Sequence, residues 1–151
     1  MIVASNSSPL IAMIDVGLGA ILDALFGDIL IPPAVRQEVF TNRSQPAWIT
    51  ECSLANPDAS GLLRGRLGAG ERQAIALTLE AKADLLLMDE LAGRRTATSL
   101  GIRVMGTLGL LLRAKAQHLI PAVGPVIDQL VATGFYVDDE LAERVRRTAG
   151  E

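Results

Sequence analysis

Cysteine, histidine and aromatic residues are scarce in this chain, and each scarcity closes a class of function. Cys52, the one cysteine, cannot form an internal disulfide, and with His118, the one histidine, it leaves too few soft ligands for a zinc site. A metal site here has to be built from oxygen. Aromatic side chains make up 3% of residues, too few for a row of rings that stacks single-stranded bases. Positive charge is not in excess either. The 14 Lys and Arg stand against 17 Asp and Glu, a net charge of −3, so the surface as a whole does not attract polyanions and nucleic-acid contact has to be local. Long apolar runs are also missing. Mean hydropathy is +0.35, yet Asp15, Asp23, Asp28 and Asp84 interrupt the longest stretches before they reach the roughly 20 residues of a membrane-spanning helix. No basic segment precedes the first apolar run and no small-residue cleavage site follows it, so a secretory signal is not expected and the chain reads as cytoplasmic, without a membrane anchor.

What is abundant is apolar side chain, half of the 151 residues, enough for the core of one compact domain spanning 1–151. No repeat or linker divides it. Ile2 to Ser5 reads as a short strand that stops at Asn6, with Ser8 as N-cap and Pro9 as first residue of the helix that follows. A second short helix is expected from Ala20 to Phe26, a strand over Asp28 to Ile31, and, after Pro32 and Pro33, a helix over Ala34 to Phe40. Residues 41–68 are the least legible, with a strand near Trp48 to Leu54 and a short helix near Ala59 to Arg64. From Gly70 the pattern sharpens into a helix ending near Ala83. The run Asp84 to Met88 is apolar on both faces, as in a central parallel strand, and Asp89 closes it. Leu91 to Leu100 is helical, Ile102 to Met105 is a strand, and helices follow over Thr107 to Gln117, Gly124 to Thr133 and Asp138 to Thr148. This alternation predicts a three-layer α/β/α sandwich around a mostly parallel sheet.

In such a fold, strand C-termini and helix N-termini share one edge of the sheet, and ligands collect there. Asn6 ends the first strand, Asp89 ends the strand at 84–88, and Glu71 lies in the first turn of the helix feeding that strand. Glu38, on the face of Val35 and Val39, leans over the same rim. Each has an ordinary alternative: Asn6 as a turn residue, Glu38 on a solvated face, Glu71 as a first-turn acid favoured by the helix dipole, and Asp89 as an N-cap. Their joint placement points to a hard cation, since Mg²⁺ takes carboxylate, amide and water oxygens.

Ser5-Asn6-Ser7-Ser8-Pro9-Leu10-Ile11, the Pro32 to Val39 segment with Glu38, Gly68-Ala69-Gly70-Glu71 with Ala74-Ile75, and Leu87-Met88-Asp89 together resemble the PIN-domain ribonucleases, which include the VapC-type toxins of toxin–antitoxin pairs. Gly106 to Leu111 and Gly134 to Leu141 are similar to a poorly characterised VapC-like subgroup. The resemblance is weakest from about 41 to 66. It implies a Mg²⁺- or Mn²⁺-dependent endoribonuclease whose acidic cluster corresponds to Asn6, Glu38, Glu71 and Asp89, with Glu38, Glu71 and Asp89 catalytic. It also implies an antitoxin partner and a homodimer, for which the apolar content and the helices at 20–26 and 107–117 leave surface. The chain departs from that pattern at Asn6, where the family usually has Asp; an amide oxygen still coordinates but carries no charge. From the sequence alone, Asn6→Asp is expected to return a negative ligand to the cluster, tighten Mg²⁺ binding and raise RNA cleavage. Glu90 stands beside Asp89 as a candidate replacement or a first-turn helix acid.

Around that cluster, Ser8 and Thr107 at helix starts are candidates for holding substrate phosphate, or else simple caps. Arg94 and Arg95, one turn beyond Asp89, are the foremost candidates for RNA backbone contacts, followed by Arg64, Arg66 and Arg72. His118 and Cys52 have no partner that suggests chemistry. A noncatalytic PIN-like module that binds RNA or protein is the competing reading, favoured by Asn6. A phosphohydrolase or receiver-like domain uses acids at the same rim, but a receiver needs a lysine opposite its acid pair, and Lys82 and Lys115 do not sit at strand C-termini.

Overall fold

The computed structural model of the chain describes residues 1–57 and 67–151. Five strands form one sheet: β1 (Val3–Ser5), β2 (Ile29–Ile31), β3 (Ile49–Glu51), β4 (Leu85–Leu87) and β5 (Val104–Met105). Their order is β3-β2-β1-β4-β5, and every neighbouring pair is parallel. Among the described residues eight helices connect and flank the sheet: α1 (Ser7–Asp15), α2 (Gly19–Phe26), α3 (Pro33–Phe40), α4 (Ala69–Glu80), α5 (Leu91–Ser99), α6 (Thr107–Ala116), α7 (Gly124–Ala132) and α8 (Asp139–Thr148). This is the α/β/α sandwich that the alternation predicts, with a sheet parallel throughout. The short helix expected near Ala59 to Arg64 lies outside the described residues.

Burial accounts for the strands. All residues of β1 and β4 are buried, as centre strands covered on both faces must be, whereas edge strand β3 buries only Ile49. Leu86, Leu87 and Met88 join Leu10 and Met13 of α1, Val35 and Val39 of α3, Ile75 of α4 and Leu110 and Leu111 of α6 in one continuous core. Each fully buried side chain of this kind is worth roughly 1.5–3 kcal/mol.

The first helix begins earlier than expected. Asn6 is its N-cap and makes no side-chain capping bond, so Ser8 and Pro9 are its second and third residues rather than cap and first. The reason is that the Asn6 N–H still belongs to the sheet, donating to the Leu87 carbonyl at 2.9 Å, and the helix turns directly from it. Asp89 is likewise no N-cap: α5 is capped at Glu90, again without a side-chain bond. Helix α3 opens on Pro33, and the orphan N–H of Ala34 donates to Gln73 Oε1 of α4 at 3.0 Å, which ties the two helices together at the rim.

Candidate active site

After β1 the chain builds outward through β2 and β3, then returns to place β4 on the other side of β1. The crevice of such a sheet opens where the winding reverses, beyond the C-termini of β1 and β4. The register pairs Ser5 with Leu87, so Asn6 and the Met88-Asp89 segment leave the sheet side by side.

Asn6 is only 3% exposed. Its Nδ2 donates to Glu90 at 3.0 Å, and its Oδ1 is buried without a hydrogen-bond partner among the described residues. The opposite amide orientation would set an oxygen against a carboxylate, so this is the one electrostatics permits. Ser8 Oγ, in the first turn of α1, donates to the same Glu90 carboxylate. Asp89 accepts two bonds of 2.7 Å from Thr107, one from its backbone N–H and one from its hydroxyl. Burial pushes the Asp89 carboxyl above its ordinary range, the two Thr107 bonds pull it back, and the charge of Glu90 raises it while Arg94 lowers it.

Glu71 is the third residue of α4 and reaches back to the N–H of the N-cap, Gly68, which is the carboxylate half of a capping box. Its stripe, Ala74, Ile75 and Thr78, is buried against the sheet. Desolvation raises the Glu71 carboxyl, the charge of Glu90 adds to this, the Gly68 bond opposes it, and Glu38 raises it again. Glu38 accepts from Ser7 Oγ.

Three glycines leave room for these acids. A Cβ on Gly70 would meet Glu38 Oε1 at 2.7 Å; one on Gly93 would collide with Met88 Sδ and meet Glu71 Oε2 at 3.2 Å; one on Gly106 would meet Arg94 Nη1 at 2.6 Å and Asp89 Oδ1 at 2.9 Å. No periodicity or spacing marks these roles in the sequence, because each rests on a contact across the fold.

The expected acids therefore do share a rim, but as an arc running Glu38, Glu71, Glu90, Asp89. Glu90, for which the sequence alone allows two roles, acts electrostatically on both Glu71 and Asp89. Among the described residues no three His, Cys, Asp or Glu side chains close tightly enough to hold an ion where they stand. Glu38, Glu90 and Asp89 each accept hydrogen bonds from neighbouring donors instead. The donor set nevertheless fits a hard divalent cation: its oxygens are carboxylate and amide, and Asn6 Oδ1 is a buried orphan of the kind an ion or ion-bound water satisfies.

The substrate candidates divide. Thr107 directs both its donors at Asp89 and Ser8 directs its hydroxyl at Glu90, so each orients an acid rather than facing an open site. Arg94 lies at the rim, its Nη1 3.4 Å from the Met88 carbonyl, while Arg95 is exposed. Arg72 donates to the Leu67 carbonyl at 2.8 Å; Arg64 and Arg66 lie outside the described residues. Beside Asp89, Glu90 and Arg94 opens a cleft of about 940 Å³, walled by Ile11, Leu108, Leu112 and Phe135 and edged by the exposed Leu91 and Tyr136.

A family model described as PIN domain matches residues 2–151. The chain belongs to the PIN-domain family. No curated protein and no solved structure matches it. A PIN domain is in general a nuclease fold, and the acid arc of this PIN domain lies at the C-terminal edge of its sheet. Among the described residues of the PIN domain no helix is long and apolar enough to cross a membrane.

Proposed function

We propose that this PIN domain is a cytoplasmic, Mg²⁺- or Mn²⁺-dependent endoribonuclease and the toxin component of a toxin–antitoxin pair. The observation that carries the nuclease reading is the four-carboxylate arc at the strand ends, with the buried Asn6 amide bonded to its Glu90 and the Asn6 Oδ1 unpartnered among the described residues. Glu71 and Asp89 would hold the cation, with Glu38 and Asn6 completing its shell directly or through water. A bound divalent ion supplies charge neutralisation at a phosphodiester and an acidified water. The chain's own part is to fix the acids: Thr107 aims Asp89, the Gly68 N–H aims Glu71, and Ser7 aims Glu38. Arg94 stands at the mouth, where it can meet an RNA phosphate without making the whole surface basic. Burial raises the Glu71 and Asp89 carboxyls and the charge of Glu90 adds to this, a repulsion that a bound cation would relieve.

The toxin role rests on the VapC-like resemblance of Gly106 to Leu111 and Gly134 to Leu141. The apolar cleft beside the arc supports an antitoxin or a second copy of the chain as partner.

The test is single-turnover cleavage of a mixed RNA pool at several Mg²⁺ and Mn²⁺ concentrations, with thermal melts alongside. Wild type is expected to cleave and to gain stability with Mn²⁺, and Asp89→Asn to lose both responses. Cleavage unchanged in Asp89→Asn would place the chemistry elsewhere. Metal binding without cleavage would leave the noncatalytic RNA- or protein-binding module, the reading that the uncharged Asn6 favours.

A further inference from the structure

We propose that Glu90 is a member of the catalytic acid set, and that Asn6 is an amide because its task is to hold that carboxylate in place. The inference rests on the nuclease reading and assigns a further residue to its site. Three observations carry it. Glu90 lies between Glu71 and Asp89 in the arc, near enough for its charge to bear on both. Its carboxylate receives two side-chain donors from the start of α1, Asn6 Nδ2 at 3.0 Å and the Ser8 hydroxyl. And the same Asn6 amide is buried, with its Oδ1 left without a partner among the described residues.

Donor chemistry explains the pairing. A carboxylate only accepts, so an Asp at position 6 could not donate to Glu90 and would set two negative charges about 3 Å apart. An amide resolves this with one donor toward Glu90 and one oxygen left unpaired among the described residues. The negative charge absent from position 6 is thus carried by position 90, just beyond the end of the neighbouring strand. Glu90 is no simple first-turn helix acid, since it makes no side-chain cap bond and faces α1 instead.

A charge exchange tests this. Glu90→Gln keeps the size of the side chain and still accepts from Asn6 and Ser8, so it is expected to fold, yet to lose roughly tenfold or more in cleavage and most of the Mn²⁺-induced rise in Tm, as removal of a metal-site carboxylate or its partner does. Asn6→Asp alone, despite adding a negative oxygen, is expected to lower the metal-free Tm and reduce cleavage. The double variant Asn6→Asp/Glu90→Gln restores the donor–acceptor pair with its ends reversed, because the amide now at position 90 donates to the new carboxylate at position 6. It should recover at least half of the metal-free Tm lost in Asn6→Asp and exceed both single variants in Mn²⁺ response. A role for Asn6 confined to packing would not produce that rescue. Glu90→Gln with wild-type cleavage and wild-type Mn²⁺ response overturns the proposal, as does a double variant no better than the worse single one. If Asp89→Asn abolishes cleavage while Glu90→Gln does not, this assignment alone fails. If wild type neither cleaves RNA nor responds to Mn²⁺, the nuclease reading and this assignment fail together.

Discussion

Gly70 shows how much a single missing methyl group decides. A methyl group there would lie where the Glu38 carboxylate rests, so Gly70→Ala must push that carboxylate aside. Because the carboxylate is the flexible end of the side chain of an exposed residue, the backbone need not move, and alanine gains helix propensity of up to about 1 kcal/mol. We expect stability and function to separate: Tm of the metal-free protein unchanged or raised by a few degrees, and RNA cleavage together with the Mn²⁺ response reduced. Melting curves and cleavage rates on the same preparation decide it, and a fall in Tm with intact cleavage would contradict the placement of Glu38. At this scale the sequence is legible where a residue ends a strand or opens a helix, which is why Asn6, Glu71 and Asp89 stand out along the chain. The Asn6–Glu90 bond is not legible, since it joins residues 84 positions apart, and neither is the clearance that a glycine provides for a side chain on another element.

The start of α6 illustrates the same limit for whole elements. Gly106 and Thr107 announce a helix start, but what that start does is fixed by β4 beside β5, which carries the Asp89 carboxylate onto the first N–H and hydroxyl of α6. Thr107 is fully buried, and Thr107→Val keeps its shape while removing one bond to a charged group, a loss of about 1.5–3 kcal/mol. The pH dependence follows from Asp89, whose carboxyl is raised above 3.8 in the native state. Between 3.8 and that raised value the native protein binds more protons than the unfolded chain, so this group's contribution to stability falls as pH rises through the window. Losing the hydroxyl bond lifts the carboxyl further and deepens that fall. Urea denaturation of both proteins should show a gap that is smallest near pH ~4 and grows to a plateau by neutral pH; a gap independent of pH would mean that the cost lies in packing alone. Helix boundaries elsewhere fall close to the sequence pattern, and the exception that matters, α1, starts early because sheet pairing holds the Asn6 N–H at the strand end.

For the molecule as a whole, alternation of strands and helices identifies the sandwich, while the order of strands in the sheet has no local signature. The partner question also belongs to this scale. Leu91 and Tyr136, 61% and 86% exposed, border the cleft beside the acids, and the self-association we propose would cover them. Light scattering across micromolar concentrations should give a dimer or larger for wild type, shifted toward monomer in Leu91→Ser/Tyr136→Ser, with stability changed by only about 0.5 kcal/mol per site. A strictly monomeric wild type would end the self-association proposal. The strand order also governs when the site exists during synthesis. Residues 3–51 carry β1, β2 and β3, but β1 acquires its other neighbour only with β4, and Asp89 acquires its two donors only with Thr107. A nascent chain that has emerged as far as residue 100 therefore holds all four acids and still lacks the group that aims one of them. Translation has to carry Thr107 clear of the ribosome before the growing polypeptide could assemble the rim that, on our reading, cuts RNA.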